Sequence, residues 1–139
     1  MNNYIDELFK LTKKAIKKKQ VPVSCIIVKD NKIISKSYNK RYKNNSVMNH
    51  AEIIAIKKAA KKLGDWRLDN CDLYVTLKPC SMCTEIIKAS RIKNVYYLLE
   101  KSTNKKEFYK TNMCLIEDIK NQDKYKEELS NFFAVNCNR

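Results

Sequence analysis

His50, Cys80 and Cys83 are the residues whose types and spacing could hold a metal ion. His50 is the sole histidine, and Cys80 and Cys83 form the one cysteine pair at C-x-x-C spacing. One imidazole and two thiolates make three ligands, one short of the four that close a structural zinc site. A catalytic zinc keeps its fourth position for water. Glu52 follows His50 by two residues, is not needed as a ligand, and offers a carboxylate to move the protons of that water. The set reads as a Zn2+ centre, one ion per chain, suited to hydrolytic chemistry.

Two elements must position these groups. If Pro79 opens a helix, Cys80 and Cys83 lie one turn apart on one face. There the helix dipole favours thiolate, the form that binds metal. Asn49 is a good N-cap, which puts His50 and Glu52 in the first turn of a second helix. Each residue also has a plainer reading. Glu52 at the third position after Asn49 fits a capping box. Cys80 and Cys83 have the spacing of a redox pair. A lone histidine is more often structural, and a structural zinc would need a fourth ligand. Cys25, Cys71, Cys114 and Cys137, however, are scattered singly. The conjunction of all four residues favours the catalytic centre.

The chain has 139 residues, the size of one domain spanning 1–139 with one core. No apolar run approaches the length of a membrane span. Residues 1–10 carry Asp6 and Glu7 and do not read as a signal peptide. With six cysteines in no framework spacing, the expectation is a reducing cytoplasm. The net charge is +14, from 29 Lys+Arg against 15 Asp+Glu, which favours a polyanionic partner such as nucleic acid. Composition bias is the counter-reading, since lysines far outnumber the four arginines and Asn, Ile and Tyr are abundant. Lysine also contacts phosphate less specifically than arginine.

Hydropathy patterning then lays out the elements. Asn2 to Lys19 reads as an amphipathic helix, with Tyr4, Ile5, Leu8, Phe9, Leu11, Ala15 and Ile16 at three- and four-residue spacing. Lys13, Lys14, Lys17, Lys18 and Lys19 crowd its end, first as a solvated terminus and second as an RNA-facing edge. Ser24–Val28 and Lys32–Tyr38 read as strands joined by an Asp30-Asn31 turn, followed by a loop from Asn39 to Asn49. A helix is expected over His50–Leu63, stopped by Gly64, then a strand over Asp72–Leu77. The cysteine-bearing helix covers Pro79–Ala89, and Asn94–Leu99 is a further strand. Beyond a charged loop at Lys101–Thr111, Met113–Ile119 is a candidate final strand. Gln122–Val135 reads as a helix with Tyr125, Leu129, Phe132 and Phe133 on its apolar side. This order implies α/β layers around a mixed sheet.

H-x-E followed by P-C-x-x-C is a known signature of zinc-dependent base deaminases. The chain resembles the tRNA-specific adenosine deaminases of the cytidine-deaminase-like superfamily. The matching text is Val21-Pro22-Val23, Tyr38-Asn39, His50-Ala51-Glu52-Ile53, Leu73-Tyr74-Val75-Thr76-Leu77, Pro79-Cys80-Ser81-Met82-Cys83, Ser90-Arg91-Ile92 and Phe132-Phe133. The resemblance implies a three-layer fold with a five-stranded mixed sheet flanked by helices, and a homodimer. It implies conversion of the wobble adenosine of a tRNA anticodon stem-loop to inosine. It makes Asn39 a hydrogen-bonding partner of the target nucleotide and Ala51 a donor of a backbone group to the base. Without the resemblance, Asn39 reads as a loop or turn residue, and Val21, Val23 and Leu77 as pocket wall or core alike. Four features depart from the family: Ser24 replaces Gly, Lys78 replaces Glu, the stretch after Glu100 is lysine-rich without Gly, and the basic tail after Phe132-Phe133 is reduced to Arg139.

The reaction so implied is hydrolytic deamination at C6 of adenine. Glu52 takes a proton from the metal-activated water and passes it to N1. Two rivals share parts of this reading: a deaminase of a free nucleobase or nucleoside, and a non-catalytic RNA-binding subunit.

Overall fold

Alternation along two strands decides which layers exist. In β1 (Ser24–Lys29), Cys25 and Ile27 point to one face while Ile26 and Val28 point to the other, and all four are buried. In β3 (Cys71–Leu77), Cys71, Leu73 and Val75 share the first face and Tyr74 the second. A strand apolar on both sides needs cover on both. Fully burying an isoleucine such as Ile26 or Ile27 contributes about 1.5–3 kcal/mol. The computed structural model describes residues 2–40, 48–100, 112 and 115–135. They fall in two compact units, Met1–Thr103 and Asn104–Arg139.

In the first unit, four strands form a mixed sheet in the order β2-β1-β3-β4, with β2 at Lys32–Tyr38 and β4 at Asn94–Leu99. β1 is antiparallel to both β2 and β3, with Ser24 opposite Tyr38 and Cys25 opposite Val75. β3 and β4 are parallel, and α3 (Ser81–Ala89) makes the crossover between them. Helix α1 (Asn2–Lys17) covers one face through Leu8 and Leu11. The rings of Tyr4, Tyr74 and Tyr96 follow one another at 4.9 Å centroid spacing and tie α1 to β3 and β4. Helix α2 (Ala51–Leu63) and α3 cover the other face through Ala51, Ala55, Ala59 and Ile87. The three layers expected from the sequence are present.

The strand count differs from five. Among the described residues there are four strands, and the candidate strand at Met113–Ile119 is not one of them. Leu115 and Ile116 lie in irregular backbone with exposed side chains, and Ile119 opens α4 (Ile119–Val135). Met113 and Cys114 lie outside the described residues, as do the loop at Lys101–Thr111 and the side chains of Leu129, Phe132 and Phe133. No described helix is long and apolar enough to cross a membrane.

Turn chemistry sets two further points. Asp30 and Asn31 both take positive φ, 50° and 62°, the backbone of a two-residue hairpin turn. Gly64 caps α2 at φ 68° and donates its N–H to the Ala60 carbonyl. Nothing lies within 4 Å of a Cβ placed there, so the cost of a side chain is conformational and not steric. Gly64→Ala is therefore expected to lower unfolding stability by about 1 kcal/mol in urea titration. An unchanged midpoint would show that the α2 end relaxes freely.

Candidate active site

The site begins with two helix starts that give up their own side-chain caps. α2 starts after His50 and α3 after Cys80; both residues are extended, and neither caps its helix through its side chain. This corrects the reading of Asn49 as N-cap and of Pro79 as the first helical residue. Asn49 instead donates from Nδ2 to the Lys40 carbonyl at 3.3 Å. With His50 at the cap, Glu52 is the second helical residue, which removes the capping-box geometry. The physical reason lies in the side chains: an imidazole and a thiol that turn toward one another cannot also fold back on their own helices.

The missing cap on α2 comes from elsewhere in the chain. The Ala51 N–H donates to Asn39 Oδ1 at 2.8 Å. Asn39 is 7% exposed and follows directly on β2. Ser37 Oγ donates to the Ala51 carbonyl, and Ser35 Oγ donates to the Ala55 carbonyl at 2.7 Å. Two inward serines of β2 and one asparagine thus fix the first turns of α2. Both main-chain groups of Ala51 are engaged within the protein. Ser35 and Ser37 were not singled out from the sequence, although polar residues at alternate strand positions were the available signal.

His50 Nδ1 lies 3.4 Å from Cys83 Sγ and 3.9 Å from Cys80 Sγ. The three possible ligand atoms all lie within 4.8 Å of one another, and no other such cluster occurs among the described residues. Zinc bonds of about 2.1 Å to nitrogen and 2.3 Å to sulfur, at tetrahedral angles, place neighbouring donors roughly 3.5–3.8 Å apart. The two nitrogen–sulfur distances lie within about 0.2 Å of that range, and the whole set is close enough to converge on one ion. Cys83 is fully buried and Glu52 is 4% exposed. Burial first, then the charges of Glu52 and Cys80, push the Cys83 thiol well above its ordinary pKa. A cation reverses this by drawing the thiolate to itself.

Cys25 lies in the same neighbourhood and was not assigned a role from the sequence. It is fully buried on β1; burial first, then Glu52 and Cys83, raise its thiol well above the ordinary value. An unfolded cysteine titrates near ~8.5. Below that pH both states keep the proton, so this contribution to stability is fully present. Above it the unfolded chain releases the proton and the folded chain does not, so stability falls as pH rises. The thermal midpoint of metal-free protein is expected to drop between about pH 8 and 10, and Cys25→Ala to drop less steeply. Parallel pH profiles would remove Cys25 as a cause.

Two of the departures from the family pattern, Ser24 and Lys78, settle locally; those after Glu100 and at Arg139 lie outside the described residues. Ser24 is buried, its hydroxyl donating to the Leu8 carbonyl at 2.7 Å and its N–H to Thr76 Oγ1 at 3.1 Å. It ties α1 to the start of β1. Lys78 turns outward, with Nζ 2.7 Å from Glu100 Oε1 and 5.6 Å from the Tyr97 ring centroid. Of the residues weighed as pocket wall, Val23 is in the core, Leu77 packs against it, and Val21 is exposed.

The family model described as the cytidine and deoxycytidylate deaminase zinc-binding region matches residues 1–99. The chain belongs to this zinc-binding deaminase family, and Zn2+ is its cofactor. A tRNA-specific adenosine deaminase of Streptococcus pyogenes is 39% identical over 94 residues, 68% of this chain and 59% of that protein. The chain therefore spans about three-fifths of the length of that curated relative. One solved structure comes from work on A-to-I editing by tRNA:A34 deaminases at the wobble position of transfer RNA. It matches with TM-score 0.72 and 34% identity over 74% of this chain and 75% of that one. The guanine deaminase of Bacillus subtilis matches with TM-score 0.72 and 26% identity over 91% and 93%.

Proposed function

We propose that this protein is a hydrolase that deaminates adenosine to inosine at the wobble position of a tRNA anticodon loop. The chemistry rests on one observation: His50, Cys80 and Cys83 converge at two helix starts, with the buried Glu52 beside them. The substrate rests on the 39% identical relative and the 34% identical structure. His50 Nδ1 and the thiolates of Cys80 and Cys83 are assigned as the zinc ligands. Zinc held there supplies Lewis acidity, which makes water acidic enough to act as a nucleophile near neutral pH.

Glu52 is assigned as the proton carrier. Its carboxylate takes a proton from the attacking water, delivers it to N1 of adenine, and carries a second proton to the leaving amine at C6. Water adds to C6, ammonia departs, and the ring is left as hypoxanthine. Burial of Glu52 keeps bulk water from competing for those protons. Asn39 accepts from the Ala51 N–H through Oδ1, which leaves its Nδ2 as the group that can donate to the nucleobase. A base stacked in a helix cannot present C6, so a loop nucleotide that is already splayed costs least to bind.

The proposal keeps 1–139 as one deaminase domain acting as a homodimer in the cytoplasm. The second reading, a deaminase of free guanine or another free base, has the 91% coverage by the Bacillus subtilis structure in its favour. Ammonia release on an anticodon stem-loop, set against free guanine, cytosine and adenosine, separates the two. Faster turnover of the stem-loop is the expected result. Turnover confined to a free base would replace the RNA assignment and leave the metal chemistry standing.

A further inference from the structure

The lysines of α1 do more than decorate a helix end. Lys10, Lys13, Lys14 and Lys17 recur at three- and four-residue spacing, which places them on one face. Across from them stands Lys36 of β2, and together with Glu7 these residues line one groove of about 470 Å³. Five lysines and one carboxylate give the groove a formal charge of +4. Glu7 serves Lys36 at 3.1 Å and reaches Lys10 only at 4.0 Å. Among the described residues, no carboxylate pairs with Lys13, Lys14 or Lys17. Like charges one turn apart destabilise a helix. Composition bias explains how many lysines the chain has, but not their collection around one concavity.

We propose that this groove binds the phosphodiester backbone of RNA, outside the nucleotide that enters the active site. The row from Lys10 to Lys17 is about 10 Å long. That length passes about three phosphates at the ~3.4 Å rise per strand of a nucleic-acid helix. Lys36 alternates with Ser35 and Ser37, so the groove lies on the α1 face of the sheet, opposite α2, along the strand that continues directly into Asn39. Charge complementarity selects a polyanion, and a concave channel between a helix and a strand suits a rod of phosphates better than a flat lipid surface. This inference rests on the RNA-substrate reading above and extends it to the stem that flanks the loop.

The test uses the full chain, an unmodified tRNA and a fluorescent anticodon stem-loop. The triple variant Lys13→Gln/Lys14→Gln/Lys17→Gln keeps helix propensity. Its control, Lys61→Gln/Lys62→Gln/Lys93→Gln, removes the same charge away from the groove. Binding is measured by anisotropy across about 50–200 mM salt, turnover by ammonia release, and lipid binding with phosphatidylserine vesicles. Each lost phosphate contact lowers the salt slope by about 0.7–0.9. The groove variant should therefore lose roughly two units of slope, and its affinity span over that range should shrink roughly twentyfold. KM should rise while kcat holds, and the control should bind as wild type apart from a small general loss.

Equal slopes for groove variant and control would overturn the groove, as would wild type that binds no RNA. Loss of vesicle binding with RNA binding unchanged would overturn it in favour of a membrane surface. Groove-dependent RNA binding without adenosine turnover would support the groove and refute the proposed reaction. Turnover with no dependence on the groove would do the reverse.

Discussion

Glu52→Gln is expected to abolish detectable deamination while zinc stays at one ion per chain. The substitution keeps the size of a side chain that is 4% exposed and removes only its capacity to carry a proton. General acid–base catalysis alone contributes about 10²–10⁴-fold. Here the same carboxylate is assigned every proton transfer of the reaction, so the loss should lie at or beyond the top of that range. Because Glu52 is not among the three converging ligand atoms, metal content should hold. Zinc by atomic absorption and ammonia release, measured on one preparation, check both halves. A variant with normal metal and normal turnover would remove Glu52 from the chemistry. A variant that lost both would make Glu52 a structural support for the ligands.

Cys83→Ala is expected to empty the metal site and destabilise the fold. Cys83 is fully buried in the first turn of α3, and its sulfur is 3.4 Å from His50 Nδ1. Its removal leaves one thiolate and one imidazole, too few for a tight zinc site. Metal that binds the folded chain stabilises it by mass action, about 4 kcal/mol at a thousand times Kd. Chelator should therefore lower the thermal midpoint of wild type by many degrees and leave that of Cys83→Ala unchanged. Cys80→Ala should behave likewise, with a smaller packing loss because Cys80 is only half-buried. Equal sensitivity to chelator in wild type and variant would place the zinc elsewhere.

Much of this was legible from the residues. The unbroken apolar run of β1 and the lone Gly64 at the end of α2 each report a strong local preference, and the structure follows both. The metal cluster was legible because only one histidine and one C-x-x-C pair exist to be brought together. Helix starts were less so. Asn49 has the better capping chemistry, yet His50 takes the position, because a tertiary bond from Asn39 to Ala51 supplies what a local cap would have given. The same kind of contact hid Ser35 and Ser37, whose partners lie 20 and 14 residues away. Their alternation on β2 shows that they share a strand face, but not which carbonyls they meet. The helical spacing of the α1 lysines was visible too, but Lys36 on a separate strand was not visibly their neighbour.

The most direct single measurement is to incubate the zinc-loaded protein with unmodified tRNA and sequence the reverse transcripts. Adenosine at the wobble position read as guanosine, with other adenosines unchanged and the Glu52→Gln protein inert, is the expected result. Wobble adenosine that remains adenosine after prolonged incubation with fully metallated wild-type protein would contradict it.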